Sequence, residues 1–575
     1  MDTGDLFGLL FVLFLAYVFN VWLKRRETQA RLASADAASK IAHGTADWSD
    51  RAFPATKDGA LFIGAASGSA MYYEGDQHLI TLAPTRTGKG TCHIVPNLLT
   101  YTGSVIVNDI KGENFALTHQ KRLEFGQVFR FAPFDENTDS FNPLDFVRRG
   151  TPTAFDDATL IADMMIVPSG GGDSQYWEEA ARGLLAGLVL YVAEHESVAT
   201  RNLQRVRDLL TRPSREFLDF VETKMAGSSH SFIARSANML LQKADKERSG
   251  VISTAQTHTA IWDSPHLARA TRISTFRLEE LRDQVGSLYL VIPPEYLSTY
   301  KSVLRLMLGV AMSTMTRIPP KQSSRPLTFF VDEFPSLRYM QPIVDAIAYL
   351  AGYDCRLWLF AQDLGQIRDV YRDKTTSILA NCGLRSFFGV ADYETAEYVS
   401  KMAGKKTVLT SSQTYRTSRV LFWDDFWGVE SYNLQHIGVP LITPDEVMRL
   451  PVRGDSQRQI VFLQGHAPVL AFKIPYHVVD QWRAATVRAP VAVFNENPPL
   501  PAPAADPPSE PVIADAPKWP TFGEQLADAS AKAKPYAVAA AQSLARGAKA
   551  TFNAISLAIQ RGHAYLKSRS RKDEG

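Results

Sequence analysis

Cysteine is scarce: only Cys92, Cys355 and Cys382 occur in 575 residues. No two are spaced as C-x-x-C and no paired histidines accompany them, which argues against a zinc site or a disulfide framework and suits a reducing cytoplasm. An excess of one charge is also missing. The 62 Lys and Arg stand against 60 Asp and Glu, a formal net charge of +2, so the whole-chain balance does not announce a nucleic-acid binder. No platform interleaves aromatic and basic residues in the way that stacks single strands. Global disorder is excluded, because 45% of the residues are hydrophobic, enough to fill about two to four domains of ordinary size.

Long apolar runs are lacking too, with one exception. Leu6 to Leu23 (LFGLLFVLFLAYVFNVWL) holds eighteen residues without a charge, which at helical rise just spans a hydrocarbon core of roughly 30 Å. Asn20 alone breaks the run, Trp22 sits where interfacial aromatics sit, and Lys24, Arg25 and Arg26 follow at once. The basic flank stays cytoplasmic. This predicts a transmembrane anchor over 1–26, with Met1 outside and the bulk of the chain cytoplasmic. A cleaved signal peptide would carry positive charge in front and a small-x-small site behind; here Asp2 and Asp5 precede and KRRE follows. A buried core helix is a poor alternative, since the segment is apolar on every face.

Residues 27–75 read as a polar linker leading into first strands. Short apolar runs ending in turn residues then follow at His78–Leu82, Ser104–Asp109 and Val128–Ala132, the pattern of strands buried on both faces of a parallel sheet. The run Phe141-Asn142-Pro143-Leu144 marks a change of texture. Residues 150–265 carry helical periodicity, with Trp177–Val192 as a strong helix behind the flexible SGGGD of Ser169–Asp173. Strand signals resume at Ser287–Ile292, Leu327–Val331, Arg356–Phe360 and Arg385–Val390, with helices near 297–317 and 341–350 and a hairpin near 458–475. The expected fold class is therefore α/β: a nucleotide-binding domain in two parts, 76–149 and 266–486, interrupted by an all-α domain at 150–265. Thr443-Pro444-Asp445-Glu446 is a capped helix start with no chemistry claimed for it. A Pro/Ala-rich linker spans 487–518. The tail, 519–575, is basic and helical: from Lys518 onward ten Lys and Arg face four Asp and Glu. There Leu544, Ala548, Phe552, Ile555, Ile559 and Leu566 share one face, fit to dock on a partner or an anionic membrane.

The chemistry concentrates in Ala83-Pro84-Thr85-Arg86-Thr87-Gly88-Lys89-Gly90-Thr91, after one strand and before a helix. Glycines let backbone N–H groups converge on phosphate oxygens, the helix N-terminus adds its dipole, and a lysine reaches the β- and γ-phosphates. The match to a P-loop is imperfect: Ala83 replaces the first glycine, and Gly90 stands where a magnesium-binding hydroxyl belongs, leaving Thr91 one place later, or Thr87, to supply it. An ordinary strand–turn–helix junction would look similar. The second element is Leu327-Thr328-Phe329-Phe330-Val331-Asp332-Glu333. Asp332 at a strand tip suits Mg2+ through its water shell, and Glu333 suits orientation or deprotonation of an attacking water; a plain acidic helix cap is the bland alternative. Gln362, at the tip of a neighbouring strand, is placed to sense a γ-phosphate, or else to make a local turn. Together these residues predict an NTPase that uses ATP and Mg2+.

The runs APTRTGKGT, NLLTYTGSVIVNDIKGEN, FNPLD, FFVDEFPSL, AGYDCRLWLFAQDLGQI, NCGLRSFFGVADYETAEYVSKMAGKKTV and PLITPDEVMRLP resemble, in order, the TraG/VirD-type coupling proteins of type IV secretion and conjugation. The glycine after the P-loop lysine is similar to what that family carries. The resemblance implies a RecA-like P-loop core bearing an all-α domain, anchored in the bacterial inner membrane. It implies a ring, as a homo-hexamer, that delivers relaxase-bound DNA, secreted effector proteins or both to the secretion channel. Lys89 then matches the Walker A lysine, Asp332 and Glu333 the Walker B acids, and Gln362 the motor glutamine. Arg356, on the strand between them, is the candidate for an arginine acting across subunits. Many members have two N-terminal spans, whereas this sequence shows one. A DNA translocase of the septal or repair type and a non-hydrolysing docking receptor are the rival readings.

Overall fold

The computed structural model of the chain describes residues 44–51, 53, 55, 59–168, 172–319, 326–414, 431–454 and 457–486, with Leu15, Phe19, Trp22, Leu23 and Arg26 as single helical positions. The rest of the expected anchor, the linker at 487–518 and the basic tail at 519–575 lie outside the described residues. Among the described residues no helix is long and apolar enough to cross a membrane.

Thirteen strands are described: β1 (Leu61–Ala66), β2 (Ser69–Tyr73), β3 (His78–Leu82), β4 (Val105–Asn108), β5 (Gln127–Phe131), β6 (Gly286–Leu290), β7 (Leu327–Val331), β8 (Cys355–Ala361), β9 (Cys382–Phe387), β10 (Lys405–Thr414), β11 (Ser431–Pro440), β12 (Arg458–Leu463) and β13 (Val469–Phe472). Eleven form one sheet in the order β2-β1-β13-β12-β9-β3-β8-β7-β4-β6-β5. From β9 to β5 every pairing is parallel, so seven strands end along one edge. The other four add antiparallel.

The apolar runs form buried strands because both faces are covered. Ile80, Leu82, Ile106, Phe329, Val331, Leu357 and Leu359 enter a large core on one side, while Leu79, Val105, Val107, Phe330, Trp358 and Phe360 enter a smaller core on the other. This is the period-2 alternation of a strand, with both phases apolar. The stretch between β5 and β6 contains helices and no strand among the described residues, from Ala154–Met165 to Glu280–Asp283. Its apolar side chains, such as Ile161 and Leu188, share the large core with the sheet and with Leu304 and Leu308 of the helix Pro294–Arg317.

The first strands at the end of 27–75 are β1 and β2, which pair with each other between Leu61 and Tyr73. Two features differ in detail from the sequence expectation. Lys405–Thr414 and Ser431–Pro440 form a separate two-stranded pair, β10 with β11, which carries no strong strand signal in the sequence. The helix after the Ala83–Lys89 loop opens as a π-turn, Gly90–Ile94, before it becomes regular at Val95–Thr100.

Candidate active site

The parallel strands place their carboxyl ends together, the edge where α/β sheets bind ligands. The loop after β3 lies on this edge. Ala83, fully buried, donates its N–H to Ala361 O at 3.0 Å and accepts Lys89 Nζ on its own carbonyl at 2.8 Å. The position of the missing first glycine is thus the residue just past β3, pinned to the end of β8. The turn itself requires positive φ, at Arg86 (+62°) and Gly88 (+107°). Gly88 also has little room, since a Cβ there would meet Cys92 Sγ at 3.1 Å. A Cβ on Gly90 would meet nothing within 4 Å, so space is open over the start of the helix. The helix is fixed from below by Asn97, whose side chain exchanges two 2.7 Å hydrogen bonds with the Phe62 backbone. Buried His93, between Thr81 and Gln459, is pushed by burial to a pKa of about 4 and is neutral.

The two threonines of the loop differ in freedom. Thr87 Oγ1 donates to Pro84 O at 2.6 Å, and its methyl occupies the space that a Cβ on Gly389 would need. Thr91 Oγ1 has only a long contact to Gly88 O, 3.4 Å, and Cys92 Sγ at 3.7 Å. Thr91 is the hydroxyl that can turn to a new partner.

The acids arrive from β7. Glu333 adopts a left-handed conformation, φ +50°, that turns the chain into the short helix Phe334–Leu337. Its Oε2 lies 3.4 Å from Lys89 Nζ, and its Oε1 accepts a hydrogen bond from Gln362 Nε2. The register explains the meeting: Val331, the last residue of β7, is opposite Leu359, so Glu333 two residues on comes level with the end of β8, beside Gln362. Asp332 accepts from Glu333 N at 3.0 Å. Its carboxyl is surrounded by protein, and burial pushes its pKa up to about 6; Lys89 opposes this and Glu333 reinforces it. Sequence reasoning missed two neighbours at the tip of β4. Asn108 Nδ2 donates to Asp332 O at 2.8 Å while its buried Oδ1 has no partner. Asp109, 2% exposed, accepts from Phe115 N and Asn114 Nδ2, and burial raises its pKa to about 6 as well. The signal was present as a second acidic strand end, in the VNDIKGEN run.

Lys89, Asp332, Glu333, Gln362 and the loop from Pro84 to Thr91 therefore share one edge. Arg356 does not. It sits at the other end of β8, roughly 20 Å along the strand from Gln362, 1% exposed, donating to Gly59 O at 2.8 Å and Tyr101 OH at 3.0 Å. Its guanidinium ties β8 to the segment before β1 and to the chain after Thr100.

The residues present fit a nucleotide with a magnesium ion. The loop offers backbone N–H groups at a helix start with open space at Gly90, and Lys89 reaches across it. Asn108 Oδ1 is an orphaned acceptor beside Asp332. Among the described residues no three His, Cys, Asp or Glu gather into a metal cage. Magnesium held by one carboxylate, waters and phosphates needs none.

Known proteins share this chain's pattern. A family model described as "Type IV secretory system Conjugative DNA transfer" matches residues 36–496. Conjugal transfer protein TraG of Escherichia coli is 28% identical over 520 residues, covering 80% of each chain. Protein VirD4 of Agrobacterium fabrum is 30% identical over 417 residues, 70% of this chain and 58% of VirD4. Among solved structures, the unbound bacterial conjugative coupling protein TrwBdeltaN70 superposes with a TM-score of 0.57 at 15% identity, covering 73% of this chain and 89% of that one. Plasmid coupling protein TrwB in complex with ADP and Mg2+ gives 0.53 at 16% identity, over 70% and 85%. At such identity the structural likeness establishes the fold, a mixed α/β core with a large, mainly parallel sheet.

Proposed function

This chain belongs to the type IV secretory system conjugative DNA transfer family, the TraG/VirD4 coupling proteins, and from that premise we propose that it is an ATPase whose hydrolysis drives substrate into a type IV secretion or conjugation channel. The observation that carries the proposal is the meeting of Lys89, Glu333 and Gln362 at the carboxyl ends of β3, β7 and β8, with Asp332 beside them. TrwB, of the same fold, is described in complex with ADP and Mg2+ and with non-hydrolysable analogues of both ATP and GTP, which supports a purine nucleotide with Mg2+ at this edge.

In this reading the loop amides and Lys89 hold the β- and γ-phosphates. Asp332 and Thr91 would hold Mg2+, whose chemistry there would be to offset the negative charge of the phosphates. Glu333 orients the attacking water and takes its proton. Its bonds to Lys89 and Gln362 set the direction of its carboxylate, and Gln362 transmits loss of the γ-phosphate into the helix Leu364–Tyr371, whose Gln366 Oε1 accepts from Gln362 N at 3.2 Å. A homo-hexameric ring is part of the proposal. Arg356 is buried and committed to Gly59 O and Tyr101 OH of its own chain, so an arginine acting across subunits would be a different one. Anchoring in the bacterial inner membrane through Leu6–Leu23 and a cargo of relaxase-bound DNA, effector protein or both complete it.

The test is phosphate release by the full chain in detergent, with and without single-stranded DNA. Lys89→Ala and Glu333→Gln are expected to lower turnover by about 100-fold or more, Glu333→Gln while still binding nucleotide. A wild-type chain that binds substrate yet never hydrolyses ATP, at any protein concentration, would instead be a docking receptor.

A further inference from the structure

Beneath the phosphate loop lies a lysine that the proposed mechanism does not use. Lys473 follows β13 and is 3% exposed. Its Nζ donates to Thr87 O at 2.6 Å and to Val452 O at 3.2 Å, and it lies 4.4 Å from the centroid of the Phe388 ring. It is 3.7 Å from where a Cβ on Gly88 would sit. The ionisable side chains that feel its charge are the Cys92 thiol and the neutral His93 ring; among the described residues no carboxylate pairs with it. Two carbonyls and an aromatic face are all that compensate a desolvated ammonium, and burial lowers its pKa accordingly.

A buried charge without a counter-charge is costly and ordinarily paired. Here the missing partner has an evident source. Thr87 O is a carbonyl of the phosphate loop, and a carbonyl drawn back toward a cation leaves the neighbouring N–H groups free to face the opposite side, where phosphates would sit. Lys473 touches the loop from the end of β13, Val452 holds the same ammonium from the segment before β12, and Gly389 fits against Thr87 from the turn after β9. Three separate parts of the chain thus meet around Thr87, and Lys473 alone reaches its peptide oxygen.

We propose that Lys473 is a positioning residue of the nucleotide site, a second lysine that orients the phosphate loop through the Thr87 carbonyl and takes the charge of the bound triphosphate as its counter-charge. The inference rests on the reading of the loop as an ATP site. It acts on binding rather than on the chemical step, because it faces the loop and not the attacking water.

The experiment measures binding of a fluorescent ATP analogue with Mg2+, and steady-state hydrolysis, for the full chain in detergent. Lys473→Met removes both charge and hydrogen bonds; Lys473→Gln keeps a donor without the charge. Both are expected to weaken binding and raise KM by about tenfold or more, with kcat at saturating ATP held within about threefold. Unchanged affinity in both variants overturns the proposal. Wild-type affinity in Lys473→Gln alone overturns the counter-charge, and a fall in kcat with KM unchanged overturns the role in binding. If neither variant folds, amine-reactive labelling of the wild type decides. ATP is expected to slow modification of Lys473, and a rate indifferent to ATP overturns the idea. Failure of the underlying site reading looks different: the wild type itself would not bind the analogue and Lys89→Ala would change nothing.

Discussion

At the scale of single residues, the site is built from groups that are uncomfortable alone. Asp332 and Asp109 are carboxyls whose pKa values are raised to about 6 by burial. The sign of the consequence is definite. Between about pH 4 and 6 the folded protein holds protons that the unfolded chain has released, so stability from these groups is fully present below the unfolded value near 3.8. It declines as pH rises through that window and stays lost above it. Asp332→Asn is therefore expected to stabilise the nucleotide-free protein at pH 7.5 by up to about 3 kcal/mol, a gain that disappears near pH 4. Urea unfolding across that range checks it. The same substitution should weaken Mg2+-dependent nucleotide binding, the trade expected where a functional group is held against its own preference. The local patterns were readable here, since lysine, acids and glutamine each stand at the end of an apolar run. Asp109 escaped because one acidic strand end looks like any other until the sheet sets it beside Asp332.

At the scale of elements, helices and parallel strands came through in the pattern, while some of the antiparallel additions did not. β3, β7 and β8 are apolar on both faces, a signal that survives without knowledge of neighbours. β10 and β11 alternate weakly and pair with each other, so nothing in either segment announces the partner. The helical stretch between β5 and β6 shows the same dependence on close approach. A Cβ on Gly187, in the helix Gly172–His195, would lie 2.2 Å from Ser236 Oγ and 2.7 Å from Ser236 Cβ on the helix Ser231–Leu241. Gly187→Leu is expected to destabilise the protein by about 1–3 kcal/mol through overpacking. Because neither helix supplies a residue to the phosphate loop or its acids, nucleotide affinity should stay within about twofold. Thermal melts and binding of the fluorescent analogue test the two halves; a parallel loss of affinity would mean that this helix pair supports the nucleotide site directly.

At the scale of the whole molecule, the proposed ring and anchor make separate demands. If an arginine from a second copy completes the site, ATPase activity per chain should rise with protein concentration, while nucleotide affinity should not. A specific activity independent of concentration over a 100-fold dilution, about 3 kcal/mol in association free energy, would favour a self-sufficient protomer. Removal of residues 1–26 is expected to shift the protein from the membrane to the soluble fraction without altering its melting temperature, checked by fractionation and calorimetry. What could be read from the chain alone was local: the α/β class from buried runs, the candidate phosphate loop from its glycines and lysine, and the candidate acids from their place at strand ends. Those follow from backbone freedom, side-chain chemistry and short-range periodicity, which travel with the residues. The tertiary structure settled which strand ends meet. It joined Glu333 to Lys89 and Gln362, carried Arg356 to the far end of β8, and brought Lys473 under Thr87 from 386 residues away. Register between parallel strands and the packing of remote segments are set by the summed burial of both sheet faces, and no short stretch of the chain contains that sum.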